Sequence, residues 1–154
     1  MGFSVKISDA RSKFSAAHFL YQHDKCSRLH GHNYLVQVEV SGNLNDKFFV
    51  VDFFELKASL MKIVNRMDHH LLIPTKSNKM RLEQNPEQNS FQVDFNGKYY
   101  IFPVEDVCLL PIEATTAELL AYYIYTEMKK DFNNYKISVE VGESEGSIAR
   151  YSEN

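Results

Sequence analysis

Long hydrophobic runs are missing from this chain: no apolar stretch approaches the roughly 20 residues that a membrane-spanning helix requires. The opening MGFSVKISDARSKF carries neither a basic leader nor an apolar core, so the protein is predicted to stay in the cytoplasm. Cysteine is scarce as well. Cys26 and Cys108 stand far apart in unlike contexts and make a thin framework for a secreted fold, so both are read as thiols in a reducing compartment. An excess of positive charge is also absent, and a formal net charge of −3 argues against nucleic acid or an anionic membrane as the partner. Internal repeats and long low-complexity tracts are lacking too.

What is present fits one domain over residues 1–154, with 44% apolar and 24% charged residues, enough to build a core without cross-links. Ser4 to Ser8 and Lys13 to Phe19 read as two extended pieces forming one bent or hairpin-like strand region. His30 to Ser41 is the clearest strand, with His30, His32, Tyr34, Val36, Val38 and Val40 on its apolar face. Asp52 opens a helix, with Glu55 three residues on and Leu56, Leu60, Ile63, Val64 and Met67 as its apolar stripe. A second helix starts at TTAE, where Thr115 and Glu118 form a capping-box pattern, and runs to about Phe132. Ile137, Val139 and Val141 mark a further strand, followed by a turn and a short final strand.

The expected fold is α+β, an antiparallel sheet with two helices on one face in the order β-β-α-α-β-β. An irregular insertion, about residues 74–111, separates the helices. Within it, FQVDFNGKYYIF presents two alternating runs around Asn96-Gly97, the signature of a type I′ hairpin.

In CSRLHGHNY, the i, i+2 spacing on a strand places the His30 and His32 imidazoles on one face, about 7 Å apart at the backbone. Two packed histidines explain that spacing; so does half of a metal site. His18, at the end of the preceding extended piece, supplies a third ligand if the two strands pair, and three histidines with no fourth protein ligand suit a catalytic zinc with an open position. Cys26 is open to three readings: an incidental loop residue, a base or nucleophile activated by a nearby cation, or a fourth ligand that closes the site. In MDHHLL, Asp68, His69 and His70 complement a helix C-terminus, or Asp68 orients a histidine for proton transfer. Glu118 serves as a cap and Glu143 as a solvated turn residue unless a site recruits them.

Taken together, FSAAH, CSRLHGHNY, VVDFFELK, MDHHLL, TTAELLA and GESEGSIARY resemble the family of 6-pyruvoyltetrahydropterin and 6-carboxytetrahydropterin synthases. The resemblance covers nearly the whole chain outside the insertion. It implies the tunnelling fold, with His18, His30 and His32 as ligands of Zn2+, Cys26 as catalytic base, and Asp68 with His69 as a proton-relay pair. It further implies that Glu118, with Thr116 beside it, and Glu143 hold the pterin, and that the chain forms a homo-oligomer, a hexamer of two trimers, with pockets between subunits. The substrate so implied is a pterin triphosphate. Three residues between Cys26 and His30 resemble the carboxy branch, which serves deazapurine (queuosine) biosynthesis. A related folate-directed group typically carries glutamate just before HGH, where this chain has Leu29. The 6-pyruvoyl activity of biopterin biosynthesis and a silent, pterin-binding or scaffolding relative are the alternatives. The insertion is expected to cap the pocket, alter the substrate accepted, or extend the oligomer interface.

Overall fold

The structure, a computed structural model, describes residues 2–8 and 12–153. Its organising element is β3 (His30–Gly42), a 13-residue strand whose alternation of buried and less buried side chains follows the sequence pattern. Two short strands share one edge of it: β1 (Phe3–Ile7) pairs antiparallel with Val38 to Gly42, and β2 (Lys13–His18) with His30 to Leu35. They run one after the other along the same partner, so the N-terminal region is a bent strand and not a hairpin. β9 (Lys136–Ser144) covers the other edge of β3, and β10 (Ser147–Ser152) continues the sheet as an antiparallel hairpin arm.

Two strands fall where the sequence suggested helix end and irregular insertion. β4 (His70–Pro74) lies parallel to β2, and β8 (Val107–Leu110) lies parallel to β4, so the seven-stranded sheet is mixed and not purely antiparallel. HLLIP of β4 is a near-continuous apolar run, the form taken by a parallel strand buried on both faces, whereas VCLL of β8 lies at the sheet edge with Leu109 exposed. Leu72 faces the helix side and Leu71 and Ile73 the other, which is why no alternation was visible.

The helices α1 (Phe53–Met67) and α2 (Ala117–Asp131) cover one face of the sheet. Asp52 caps α1 by accepting the Phe54 N–H at 2.7 Å. The cap of α2 is Thr116, whose hydroxyl accepts from Leu119 N, and not Thr115, so Glu118 is not the acid of a Thr115 capping box. Leu56, Leu60, Ile63, Val64 and Met67 meet Val36, Val38 and Val40 of β3 in the main core. The two helices are tied to each other by Ser59 Oγ donating to Asp131 Oδ2 at 2.7 Å and Arg66 Nη2 donating to Glu127 Oε2 at 2.9 Å.

The segment between β4 and β8 is a three-stranded antiparallel sheet, β5 (Arg81–Asn85), β6 (Ser90–Phe95) and β7 (Lys98–Pro103), one strand more than the Asn96-Gly97 hairpin alone. Asn96 and Gly97 both have positive φ, 54° and 70°, as a type I′ turn requires. Phe91, Val93 and Phe95 are buried; Val93 and Phe95 form a second core with Phe19, Leu71 and Ile73, away from the helices. Both cysteines are free thiols, and burial pushes the Cys108 thiol up despite nearby Arg66. No helix among the described residues is long and apolar enough to cross a membrane.

Leu60 is fully buried between helix and sheet, whereas Phe54, in the first turn of the same helix, is 84% exposed. Leu60→Ala is expected to destabilise the fold by about 2–5 kcal/mol, and Phe54→Ala by under about 0.5 kcal/mol, as read from urea denaturation midpoints.

Candidate metal centre and adjoining pocket

The β2–β3 register sets His18 opposite His30 and Ala16 opposite His32, so three imidazoles share the helix-facing side of two adjacent strands. Gly31 separates the two β3 histidines where a Cβ would lie 3.0 Å from the Ala16 carbonyl oxygen, a tight contact that a larger residue could make only if the β2 backbone gave way. Small Ala16 leaves the space opposite His32 open.

The ring nitrogens are sorted by their backbone partners. His18 Nδ1 donates to the Thr115 carbonyl at 2.9 Å, and His30 Nδ1 to the Arg28 carbonyl at 2.7 Å; a carbonyl can only accept, so the proton sits on Nδ1 and the Nε2 lone pair is free. The Nε2 atoms of His18, His30 and His32 are all buried without a hydrogen-bond partner. One ligand atom from each lies within 4.8 Å of the others. Three buried lone pairs converging with nothing to accept from are costly unless a cation takes them, so the donor set fits a divalent metal. Among the described residues this cluster contains the three imidazoles and not Cys26, which argues against the closed, four-ligand reading. Burial pushes the His18 imidazole down to about 4, with His30 and His32 lowering it further and the Thr115 bond opposing, so the ring is neutral at physiological pH.

Tyr34 lies beneath the triad, its ring stacked on Phe14 at 4.8 Å and edge-on to His18 and His32. Burial, reinforced by Glu143, drives its phenol far above the ordinary range, so it stays neutral. Glu143, on β9, brings its carboxylate to 3.8 Å from His18 Nε2 and 3.7 Å from His32 Nε2. It is therefore part of the site and not a solvated turn residue.

Glu143 also lines two open hollows. One, of about 520 Å³, is bordered by Thr116 and Glu118 at the start of α2, by His23, and by Arg150 on β10. The other, of about 810 Å³, is bordered by His32, Asn33, Asp68 and His69. Both are in the size range of small-molecule sites. Thr115, whose carbonyl orients His18, immediately precedes the α2 cap; the sequence reading placed it only as a cap, and its neighbour Thr116 was the sole hint.

Asp68 and His69 form the exit of α1. Asp68 Oδ1 accepts the Ser15 N–H at 2.8 Å and Oδ2 lies 2.9 Å from His69 Nδ1; these bonds, the Ser15 one foremost, hold the Asp68 carboxyl below its ordinary value. His69 adopts a left-handed backbone with φ 58°, fixed by its N–H donating to the Ser15 carbonyl at 2.6 Å, and its side chain is 82% exposed. Asp68 thus orients His69 directly, while His70 Nδ1 donates to the Asp68 carbonyl at 2.6 Å. Cys26 sits half-buried in a short 3-10 turn, Lys25–Ser27, its carbonyl accepting the Leu20 N–H at 2.7 Å.

In metal-stripped protein the unfolded chain protonates His18 near pH 6.5 but the folded chain only near pH 4. The unfolded state then binds more protons, so stability is full above 6.5 and declines as pH falls towards 4, by about 3 kcal/mol from this group. Denaturation at neutral and acidic pH is expected to show that decline in the parent and a shallower one in His18→Asn.

Comparison with known proteins agrees with the residues. The model of the 6-pyruvoyl tetrahydropterin synthase family matches residues 7–154. A Haemophilus influenzae protein named 6-carboxy-5,6,7,8-tetrahydropterin synthase is 33% identical over 153 residues, covering 96% of this chain and 99% of that one. A Methanocaldococcus jannaschii protein provisionally given the same name is 37% identical over 139 residues, covering 87% and 84%. Among solved structures, Plasmodium falciparum 6-pyruvoyl tetrahydropterin synthase superposes with a TM-score of 0.89 at 27% identity, over 99% of this chain and 98% of that one. With its three-histidine centre and near full-length match, this chain belongs to the 6-pyruvoyl tetrahydropterin synthase family.

Proposed function

We propose that the protein is a zinc-dependent lyase that converts 7,8-dihydroneopterin triphosphate and water to 6-carboxy-5,6,7,8-tetrahydropterin, releasing acetaldehyde and triphosphate, in the route to deazapurines such as queuosine. The observation that carries this reading is the convergence of three unsatisfied imidazole nitrogens beside Glu143, with Glu118 around an adjoining hollow. His18, His30 and His32 would hold the zinc, leaving an open position. Bound there, the metal supplies Lewis acidity towards the hydroxyls of the substrate side chain.

The protein's own groups do the rest. A carboxylate such as Glu118 accepts the paired N–H donors on the 2-amino-4-oxo edge of a pterin in two-pronged fashion, and Thr116 and Glu143 close the same pocket. That fixes the ring so that the side chain extends towards the histidines. Cys26 as thiolate removes the proton from the activated C–H carbon, and His69, held by Asp68, delivers or accepts a proton at the neighbouring oxygen. Triphosphate then leaves by elimination, not hydrolysis, and a retro-aldol-type cleavage with uptake of one water breaks the bond between the first two side-chain carbons, so that the first stays on the ring as the carboxyl carbon and the outer two leave as acetaldehyde. In this reading the exposed Asp68–His69 pair of one chain serves a pocket completed by a neighbouring chain in a hexamer of two trimers. The strongly exposed but hydrogen-bonded His69 supports that division of labour.

The names of the curated relatives favour the carboxy product. The solved P. falciparum homologue, named a 6-pyruvoyl synthase, favours the second reading, in which the carbon skeleton is kept and no acetaldehyde forms.

Incubation of zinc-loaded protein with 7,8-dihydroneopterin triphosphate is expected to yield triphosphate, acetaldehyde and the 6-carboxy product by mass analysis. A 6-pyruvoyl product without acetaldehyde would transfer the protein to the second reading, and no turnover would sink both. Cys26→Ala is expected to lower kcat about 10²- to 10⁴-fold with zinc retained, whereas His32→Ala should lose the metal, as measured by elemental analysis. Zinc loss in the Cys26 variant would refute its role as a base.

A further inference from the structure

The segment that bears Cys26, residues 20–28, is held from outside by the inserted sheet. At the β6–β7 turn, Asn96 Nδ2 donates to the Leu20 carbonyl at 2.9 Å and to the Ser27 carbonyl at 3.3 Å, while its Oδ1 accepts the Gln22 N–H at 3.0 Å. One side chain thus ties down both ends of the segment. Within it, Leu20 N–H reaches the Cys26 carbonyl at 2.7 Å and Ser27 N–H the His23 carbonyl at 2.6 Å, so the position of Cys26 is linked to Asn96 through one backbone bond on either side.

The contact is built up by packing. Phe95, next to Asn96, meets Phe19 at 4.9 Å and Tyr21 at 6.0 Å between ring centres, and Tyr100 stacks on Phe19 at 5.4 Å. Lys79 Nζ lies over the Tyr21 ring at 5.3 Å. Gln22 holds a left-handed φ of 46°, a conformation that a free loop would leave without such bonds. Only an amide suits the position: two N–H donors and one acceptor match two carbonyls and one N–H, and asparagine also tolerates the φ of 54° that the turn demands.

We propose that Asn96 is a positioning residue for Cys26, so that the inserted sheet acts as an external clamp on the segment carrying the catalytic thiol. This rests on the assignment of Cys26 as the base. A thiol displaced by about 1 Å from the carbon whose proton it takes loses up to about 100-fold in rate, and the segment has no regular secondary structure beyond one 3-10 turn to hold it otherwise. Lining of the substrate pocket by the insertion is not needed for this effect.

The test uses the zinc-loaded full chain and two variants. Asn96→Gly removes the amide while easing the left-handed turn; Asn96→Asp keeps the turn and the acceptor but aims a carboxylate at two carbonyls. Both are expected to lower kcat about 10- to 100-fold with KM within about twofold. They should also speed amide exchange across residues 20–28, leave β3 and α1 protected as in the parent, and raise the iodoacetamide alkylation rate of Cys26 severalfold, resolved from Cys108 by peptide mapping. Parent-like exchange and alkylation in both variants would overturn the clamp, as would faster exchange spread evenly over β3 and α1. Cys26→Ala separates the two layers: if it retained turnover, the base assignment would fail, whereas the exchange and alkylation data judge the clamp alone.

Discussion

The register of β2 against β3 is the constraint on which the rest of the site depends. Strand side chains alternate, so a slip of one residue would send His18 to the opposite face from His30 and His32 and dissolve the cluster. What fixes the register lies elsewhere on the same strand. Val36, Val38 and Val40 are buried beneath the helices, and Phe14 stacks on Tyr34, two residues beyond His32. The apolar half of β3 therefore stabilises an alignment that its histidine half requires, and it offsets the cost of three buried nitrogens that make no hydrogen bond.

From that alignment the site extends through single residues. The Thr115 carbonyl orients His18, Thr116 caps α2, and Glu118 lies in the first helical turn. Ligand orientation and the carboxylate proposed to hold the pterin are thus set within four residues of one another. An exchange of sheet for helix at this point is not available: moving the α2 cap by one position, to Thr115 as the sequence suggested, would withdraw the carbonyl that fixes the His18 tautomer. On the opposite side Glu143 faces both the histidines and the two hollows, so a change at β9 bears on metal and pocket together.

Much of this was legible in the residues, and what was not has identifiable causes. The long alternation of β3 and the 3.6-residue stripes of α1 and α2 are strong periodic signals, and the i, i+2 histidines inherit their shared face from the first. The pairing that brings in His18 was a guess about topology, supported by its place at a strand end. β4 escaped because five residues buried on both sides carry no period, and β8 because four residues at a sheet edge are too short to show one; each also adjoins a stretch that reads as loop. The role of Thr115 escaped because it acts through its carbonyl, which every residue possesses. The Asn96-Gly97 pair signals a turn alone, since nothing in NG announces what the amide will face at a separation of 69 to 76 positions.

The Asp68–His69 pair is the place where the proposed assembly would matter most. Its geometry is already ordered: two bonds to Ser15 fix the backbone and the carboxylate, and the carboxylate fixes the ring. Ordering an exposed side chain costs conformational entropy, and an ion pair in water returns little of it. The left-handed backbone of His69 adds strain that a purely structural helix exit would shed by placing glycine there. Such an expense on a ring facing solvent is rational when the ring is delivered to a surface that excludes water. The same hydrogen bonds then act in a lower dielectric, where the orientation held by Asp68 counts for more. The pocket between chains proposed above would meet that condition, because burial of the pair and completion of the site would become one event. Assembly would in that case be a prerequisite of catalysis and not merely a contribution to stability.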